Sequence, residues 1–171
     1  MGEKTAPNTL EKGCKIVEEL GYKYWISAGT LLGIHRDGKL IKHDTDLDIE
    51  ILGEVNLYEL IERMEGFELI RTITHNNKWM QITFIDTSNN VIFDIYVFYK
   101  EDNLLINTNE LGMLYYPGSN FEKLTTVEFN GFIYPCPERD WYCQFRYGDN
   151  WNIPKKSKGG NFGVDAANLR R

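Results

Sequence analysis

His43-Asp44-Thr45-Asp46-Leu47-Asp48-Ile49-Glu50-Ile51-Leu52 alternates strictly, with Asp44, Asp46, Asp48 and Glu50 on one side and Thr45, Leu47, Ile49 and Ile51 on the other. A period of two is the signature of a β-strand, whose successive side chains point to opposite faces. The stretch therefore reads as a strand with one apolar and one acidic face. Upstream, residues 22–27 form a strand rich in aromatic and branched side chains, Gly29 ends it, and Thr30-Leu31-Leu32-Gly33-Ile34-His35-Arg36 starts a helix. Further upstream, Asn8 is placed to cap a helix whose apolar residues Leu10, Cys14, Val17 and Leu20 recur every three or four positions until Gly21.

Downstream, a helix is expected over residues 56–65, closed by Gly66, then strands over 67–74, 79–85 and 91–99, the last two joined by Ser88-Asn89-Asn90. The run Val91-Ile92-Phe93-Asp94-Ile95-Tyr96-Val97-Phe98-Tyr99 is apolar on both faces apart from Asp94, which places it centrally in a sheet. Residues 121–128 and 132–134 flank the hairpin signal Asn130-Gly131, and residues 137–147 form a last helix with Pro137 in its first turn and Gly148 at its end. The expected fold is one α+β domain with a central mixed, largely antiparallel sheet, acids on one face and helices covering the other. The domain spans residues 1–154, and a basic tail over 155–171, beginning Lys155-Lys156-Ser157-Lys158-Gly159-Gly160, is expected to be mobile unless a ligand orders it.

Composition narrows the partners. The 171 residues carry 19 Lys+Arg against 25 Asp+Glu, a net charge of −6, so the overall field does not draw the chain to nucleic acid, whose affinity comes from cations neutralising phosphates. A chain of this length buries roughly 70% of its unfolded surface and needs no disulfide or structural metal for a core. Cys14, Cys136 and Cys143 form no CxxC pair and read as reduced, buried thiols. The apolar runs fall far short of the ~20 residues that cross a bilayer, and Met1-Gly2-Glu3-Lys4 opens no signal peptide, so a cytoplasmic chain without an integral membrane segment is expected.

The chemistry concentrates in a few residues. Two carboxylates about 4 Å apart repel by roughly 4 kcal/mol at an effective dielectric near 20, so a cluster persists only with protons, basic partners or cations. Asp46 and Asp48 lie side by side on their strand, and Asp94 joins them if its strand is the neighbour. Hard oxygen ligands of this kind suit Mg²⁺, with Mn²⁺ the alternative, and two such ions would turn an acidic face into an anion-binding centre for a diphosphate or triphosphate. The plain alternative for the D-x-D alone is a solvated edge-strand face. An acid inside an apolar central strand is harder to explain without a partner.

Ser27-Ala28-Gly29-Thr30, between strand and helix, has the make-up of a phosphate cradle: helix N-terminal N–H groups, a glycine for close approach and a hydroxyl donor. A simple turn is the alternative. Arg36 is a possible clamp on a phosphate oxygen, and Lys42 either a second clamp or a surface charge. His35, His43 and His75 lack zinc spacing and read as polar surface or loop groups, with His43 alone adjacent to the acids.

The order of cradle, paired acids and third acid resembles the DNA polymerase beta-like nucleotidyltransferase superfamily, and within it the LicD/fukutin family. The likeness rests on Tyr24-Trp25-Ile26-Ser27-Ala28-Gly29-Thr30-Leu31-Leu32-Gly33-Ile34-His35-Arg36, on residues 38–49, on Phe93-Asp94-Ile95 and on Tyr147-Gly148-Asp149-Asn150-Trp151-Asn152-Ile153-Pro154. It departs at His43-Asp44-Thr45-Asp46, where the family commonly has a Trp and three acids. The resemblance implies a Mg²⁺-dependent transferase that moves a phosphate-bearing group from a nucleotide-activated donor, such as a CDP-alcohol, onto a sugar or glycan hydroxyl. Asp46, Asp48 and Asp94 would hold metal, with Asp94 also receiving the hydroxyl's proton, while Ser27, Gly29, Thr30, Arg36 and Lys42 would bind phosphate. Transfer of a nucleoside monophosphate from an NTP and a non-catalytic nucleotide-binding domain are the alternatives, and lipid-linked acceptors would bring the chain to a membrane surface.

Overall fold

The fold is built around two strands that share their apolar faces with one core. A computed structural model describes residues 6–109, 112–154 and 169–170. Along the chain run α1 (Ala6–Glu19), β1 (Lys23–Ile26), α2 (Ala28–Asp37), β2 (Asp46–Leu52), α3 (Leu57–Arg63), β3 (Phe67–His75), β4 (Lys78–Asp86), β5 (Val91–Glu101), β6 (Leu104–Asn109), β7 (Gly112–Pro117), β8 (Thr125–Phe129), β9 (Phe132–Cys136), α4 (Arg139–Tyr147) and β10 (Leu169–Arg170). The eight-stranded main sheet runs β1-β2-β5-β6-β7-β10, with β4 also on β5 and β3 outside β4. Only β2–β5 is a parallel pair among these ladders, so the sheet is mixed and largely antiparallel. β8 and β9 form a separate hairpin.

β5 is central because it is long and apolar. One edge pairs with β2 from Ile92 to Phe98, while the other serves β4 through Tyr96 and then β6 from Tyr99. Leu47, Ile49 and Ile51 on β2 and Phe93, Ile95 and Val97 on β5 are fully buried on the face away from the acids. α1 covers that face through Leu10, Cys14 and Val17, approaching so closely at Gly13 that an added Cβ would lie 2.5 Å from the Phe93 ring. The expected division of faces holds for α1 and fails for α4, which packs on the acid side and reaches Glu50 with Tyr142 and Arg146.

Several boundaries move for identifiable reasons. α1 begins at Ala6, with Pro7 in its first turn where a missing N–H costs nothing, so Asn8 is helical rather than a cap. β8 begins at Thr125, four residues later than read, because Phe121 ends a 3-10 turn and packs on Trp25. α4 starts at Arg139, with the Glu138 side chain accepting from the Asp140 and Trp141 N–H groups. Asn130 and Gly131 both take positive φ, 53° and 82°, as a tight hairpin turn demands. The three cysteines are free and buried. Of the basic tail, residues 155–168 and 171 lie outside the described residues, while Leu169–Arg170 pairs antiparallel with β7. Among the described residues no helix is long and apolar enough to cross a membrane.

Candidate active site

The ladder registers line up one polar row across the sheet. Ser27 donates its N–H to the Asp48 carbonyl at 3.1 Å, Asp48 stands opposite Asp94, Asp94 opposite Thr83, and Thr83 opposite Arg71. Directly opposed residues project to the same face, so β2, β5, β4 and β3 each contribute one side chain, and Ser27 follows directly on the end of β1. Asp46, two residues before Asp48, joins from the same side. Asp46, Asp48 and Asp94 each offer a carboxylate oxygen within 4.8 Å of the others, and Asp48 and Asp94 are buried.

Burial and mutual repulsion set the protonation of this trio. Asp46 is pushed up to about 6, first by burial and then by its hydrogen bond to Asp44 and that group's charge. Asp48 is held well above the usual carboxylate range by burial and by the charges of Asp46, Asp94 and Asp44, against which Arg146 pulls down. Burial raises Asp94 as well, opposed by hydrogen bonds from Thr83 and Gln81 and more weakly by the Arg71 charge. Without a cation the cluster therefore keeps protons that a hard divalent ion would displace. Three converging carboxylates with too little basic compensation form a donor set that fits Mg²⁺ or Mn²⁺.

Beside the acids lies the first turn of α2. Leu31 makes the first intrahelical bond, to the Ser27 carbonyl, and the Ala28 N–H goes to the Tyr142 hydroxyl at 2.9 Å. Gly29 and Thr30 lie in the first turn of α2, where helix geometry provides no intrahelical acceptor for their N–H groups. Ser27 is fully buried and its Oγ has no hydrogen-bond partner. Thr30 Oγ1 accepts the Asp48 N–H at 2.8 Å, tying the helix to the acidic strand. Positive φ falls on Ala28, at 44°, and not on Gly29. Gly29 is needed for space: Asp44 Oδ2 lies 2.1 Å from where its Cβ would stand.

The structure thus brings together Asp46, Asp48, Asp94, Ser27, Gly29 and Thr30. The described contacts do not bring Arg36 to them: its guanidinium is held by Asp37 at 2.9 and 2.6 Å, and its backbone lies about 12 Å along the helix axis from Ala28. Lys42 is exposed in the loop entering β2 and makes none of the described contacts. His43 is exposed there too, whereas His35 pairs with Asp140 at 2.7 Å and stacks on Trp151. Tyr116 is core, and Tyr96 sits half-buried beside the acids, two residues along β5 from Asp94.

Sequence reading missed what surrounds the acids. Glu50 belongs to no solvated face: it is buried, accepting from Trp25 Nε1 at 2.6 Å, Tyr116 at 2.9 Å and Tyr142 at 3.3 Å, with Arg146 at 3.4 Å. Burial raises its pKa against those partners. Thr83, Gln81, Arg71 and Arg146 reach the site from strands and a helix whose sequence carries no signal for it.

Residues 21–139 match the family described as LicD/FKTN/FKRP, nucleotidyltransferase domain. The mouse ribitol-5-phosphate transferase FKTN is 28% identical over 164 residues, covering 90% of this chain and 34% of its own, and the human protein of the same name is 26% identical over the same length. An uncharacterised Rickettsia prowazekii protein, RP689, is 34% identical over 89 residues, or 51% of this chain. The chain spans about a third of the length of the FKTN relatives, 34% in each case. Among solved structures, the antibiotic-resistance factor ANT(2'')-Ia in solution superposes with a TM-score of 0.57 at 12% identity, covering 95% of this chain and 80% of that one. Its crystal structure with adenylyl-2''-tobramycin gives 0.50 at 16% identity, covering 81% and 71%. At such identities the likeness is one of fold, whereas the family match extends over most of the chain from before the cradle to the start of α4: the chain belongs to the LicD/FKTN/FKRP family, and residues 21–139 are its nucleotidyltransferase domain.

Proposed function

We propose that the chain is a Mg²⁺-dependent transferase that moves a phosphoalcohol, of the phosphocholine or alditol phosphate kind, from a CDP-activated donor to a sugar or glycan hydroxyl. The observation that carries this reading is the opposition of Asp48 and Asp94 on the parallel pair β2–β5, with Asp46 alongside and the first turn of α2 at its edge. The ribitol-5-phosphate transferase named among the relatives supports the phosphoalcohol, and Mn²⁺ is the second cation the donor set accepts.

Asp46, Asp48 and Asp94 would hold the metal, which when bound neutralises charge on the transferred phosphoryl group and its leaving nucleotide. The Gly29 and Thr30 N–H groups and the Ser27 hydroxyl would bind a donor phosphate, Ser27 with an oxygen that has no other partner. Asp94 would face the acceptor hydroxyl and take its proton as the new P–O bond forms; the bond from that phosphorus to the bridging oxygen breaks and CMP leaves. Arg36, engaged by Asp37, has no part in this scheme.

Incubation of the protein with Mg²⁺, a panel of CDP-alcohols and oligosaccharide acceptors, followed by mass analysis, tests it. The acceptor should gain the mass of the alcohol phosphate, and Asp46→Asn or Asp94→Asn should abolish the gain while the fold survives. A gain equal to a nucleoside monophosphate would replace this reading with nucleotidyl transfer, and full Mg²⁺-dependent turnover in either variant would remove the metal assignment.

A further inference from the structure

The two oxygens of Asp94 are treated differently by the protein. Thr83, directly opposite on β4, donates its hydroxyl to Oδ1 in a short hydrogen bond, and Gln81 Nε2 donates to the same Oδ1 at 2.9 Å. Gln81 also reaches the Thr83 hydroxyl, at 3.3 Å, so the two donors brace each other. All three side chains are buried: Thr83 is 5% exposed, Gln81 7% and Asp94 6%. Both bonds end on Oδ1 and neither on Oδ2. A carboxylate oxygen has two lone pairs, and Oδ1 accepts from both donors.

We infer that Thr83 and Gln81 are positioning residues that restrict Asp94 to ligation through a single oxygen, and that this restriction selects a small octahedral cation over Ca²⁺. The inference rests on the reading of the three aspartates as the metal site. Ca²⁺ takes six to eight oxygens at about 2.3–2.6 Å and commonly uses both oxygens of one carboxylate, whereas Mg²⁺ requires near-octahedral geometry at about 2.0–2.1 Å with one oxygen from each. With Oδ1 committed to Thr83 and Gln81, Asp94 cannot chelate through both oxygens without breaking two buried hydrogen bonds. Partners of this kind hold a ligand's orientation, and their loss typically lowers metal affinity about 10–100-fold.

The test is titration of the full chain with Mn²⁺ and, separately, Ca²⁺, in the absence of nucleotide, by calorimetry. The variants are Thr83→Val with Gln81→Leu, each alone and together, and Thr83→Ser, which restores the hydroxyl. The double variant should raise the ratio of Ca²⁺ to Mn²⁺ affinity by about tenfold or more, chiefly through weakened Mn²⁺ binding, and Thr83→Ser should stay near the parent protein. A purely structural role would lower the melting temperature of the metal-free protein and leave that ratio unchanged, which would overturn the inference. If Thr83→Val does not fold, Gln81→Leu alone removes one of the two donors, and an unchanged ratio there counts equally against it. Asp94→Asn separates the two levels: loss of Mn²⁺ binding in Asp94→Asn beside an unchanged ratio in the Thr83 and Gln81 variants refutes the positioning role alone. Undiminished Mn²⁺ binding in Asp94→Asn refutes the metal site, and the inference with it.

Discussion

Asp44 rests its carboxylate against Gly29, with Oδ2 2.1 Å from the position a Cβ would take. The same carboxylate is hydrogen-bonded to Asp46, so the first turn of α2 and the acidic strand meet through one side chain. Gly29→Ala places a methyl group where that carboxylate stands and pushes Asp44, and through it Asp46, out of position. Ala favours helix over Gly and Gly29 does not have a left-handed backbone, so the fold should tolerate the change. Turnover should fall on the order of a hundredfold, the cost of displacing reacting groups by about 1 Å, while the melting temperature stays near that of the parent protein. Wild-type kinetics in Gly29→Ala would separate the cradle from the acids.

Asp48 is crowded by three other carboxylates. It is buried, faces Asp94 directly and feels the charges of Asp46 and Asp44 as well. Asp48→Asn removes one like charge and keeps the shape, so the metal-free protein should gain about 0.5–2 kcal/mol of stability, read by chemical denaturation, as it loses turnover. A destabilised Asp48→Asn would mean that the carboxylate has a compensating partner in the metal-free state.

Stability should also depend on pH with a definite sign. Asp46 titrates near 6 in the folded chain against 3.8 for the free side chain, and burial among like charges holds Asp48 well above the usual carboxylate range as well. The folded state therefore binds more protons than the unfolded one between about pH 4 and about 6, and the metal-free protein should lose stability as pH rises across that window. Metal binding runs the other way, because the ligands must shed those protons, so Mg²⁺ affinity should climb with pH over the same window. Melting curves from about pH 4 to about 8, with and without Mg²⁺, should diverge as pH rises; parallel curves would contradict the coupling.

How much of this was legible in the sequence depends on how local each signal is. The paired acids, the isolated Asp94 and the Ser27-Ala28-Gly29-Thr30 turn stood out because period and composition are local properties of the chain. β6 and β7 did not, since Leu104-Leu105-Ile106-Asn107-Thr108-Asn109 and Gly112-Met113-Leu114-Tyr115-Tyr116-Pro117 mix strand formers with Asn, Gly and Pro. Asn107 is fully buried there and donates to the Met80 and Val97 carbonyls at 2.7 and 2.9 Å, a use of an amide that no periodicity announces. Arg71 faces the acids only because the β3–β4 register shifts between Leu69 and Arg71. The acidic face read from β2 was half of the truth: alternation correctly put Glu50 beside Asp48, but its burial is decided by α4, 96 residues away at Arg146.

That long-range pair gives the last prediction. Arg146 is the cation facing the buried Glu50, and its Nη1 also bonds the Tyr116 hydroxyl, while Nε is buried without a partner. Arg146→Met would fill similar space and leave the Glu50 carboxylate with only neutral donors, costing about 3–5 kcal/mol, the usual penalty for stranding one member of a buried pair. Adding Glu50→Gln removes the stranded charge and should recover most of that loss, so the two changes should be strongly non-additive in a double-mutant cycle measured by denaturant unfolding. Arg146 also lowers the pKa of Asp48, which should rise further in Arg146→Met and weaken Mg²⁺ binding near neutral pH. Additive effects in the cycle, with Mg²⁺ affinity untouched, would show that Trp25, Tyr116 and Tyr142 hold Glu50 unaided and that α4 has no electrostatic hold on the acids.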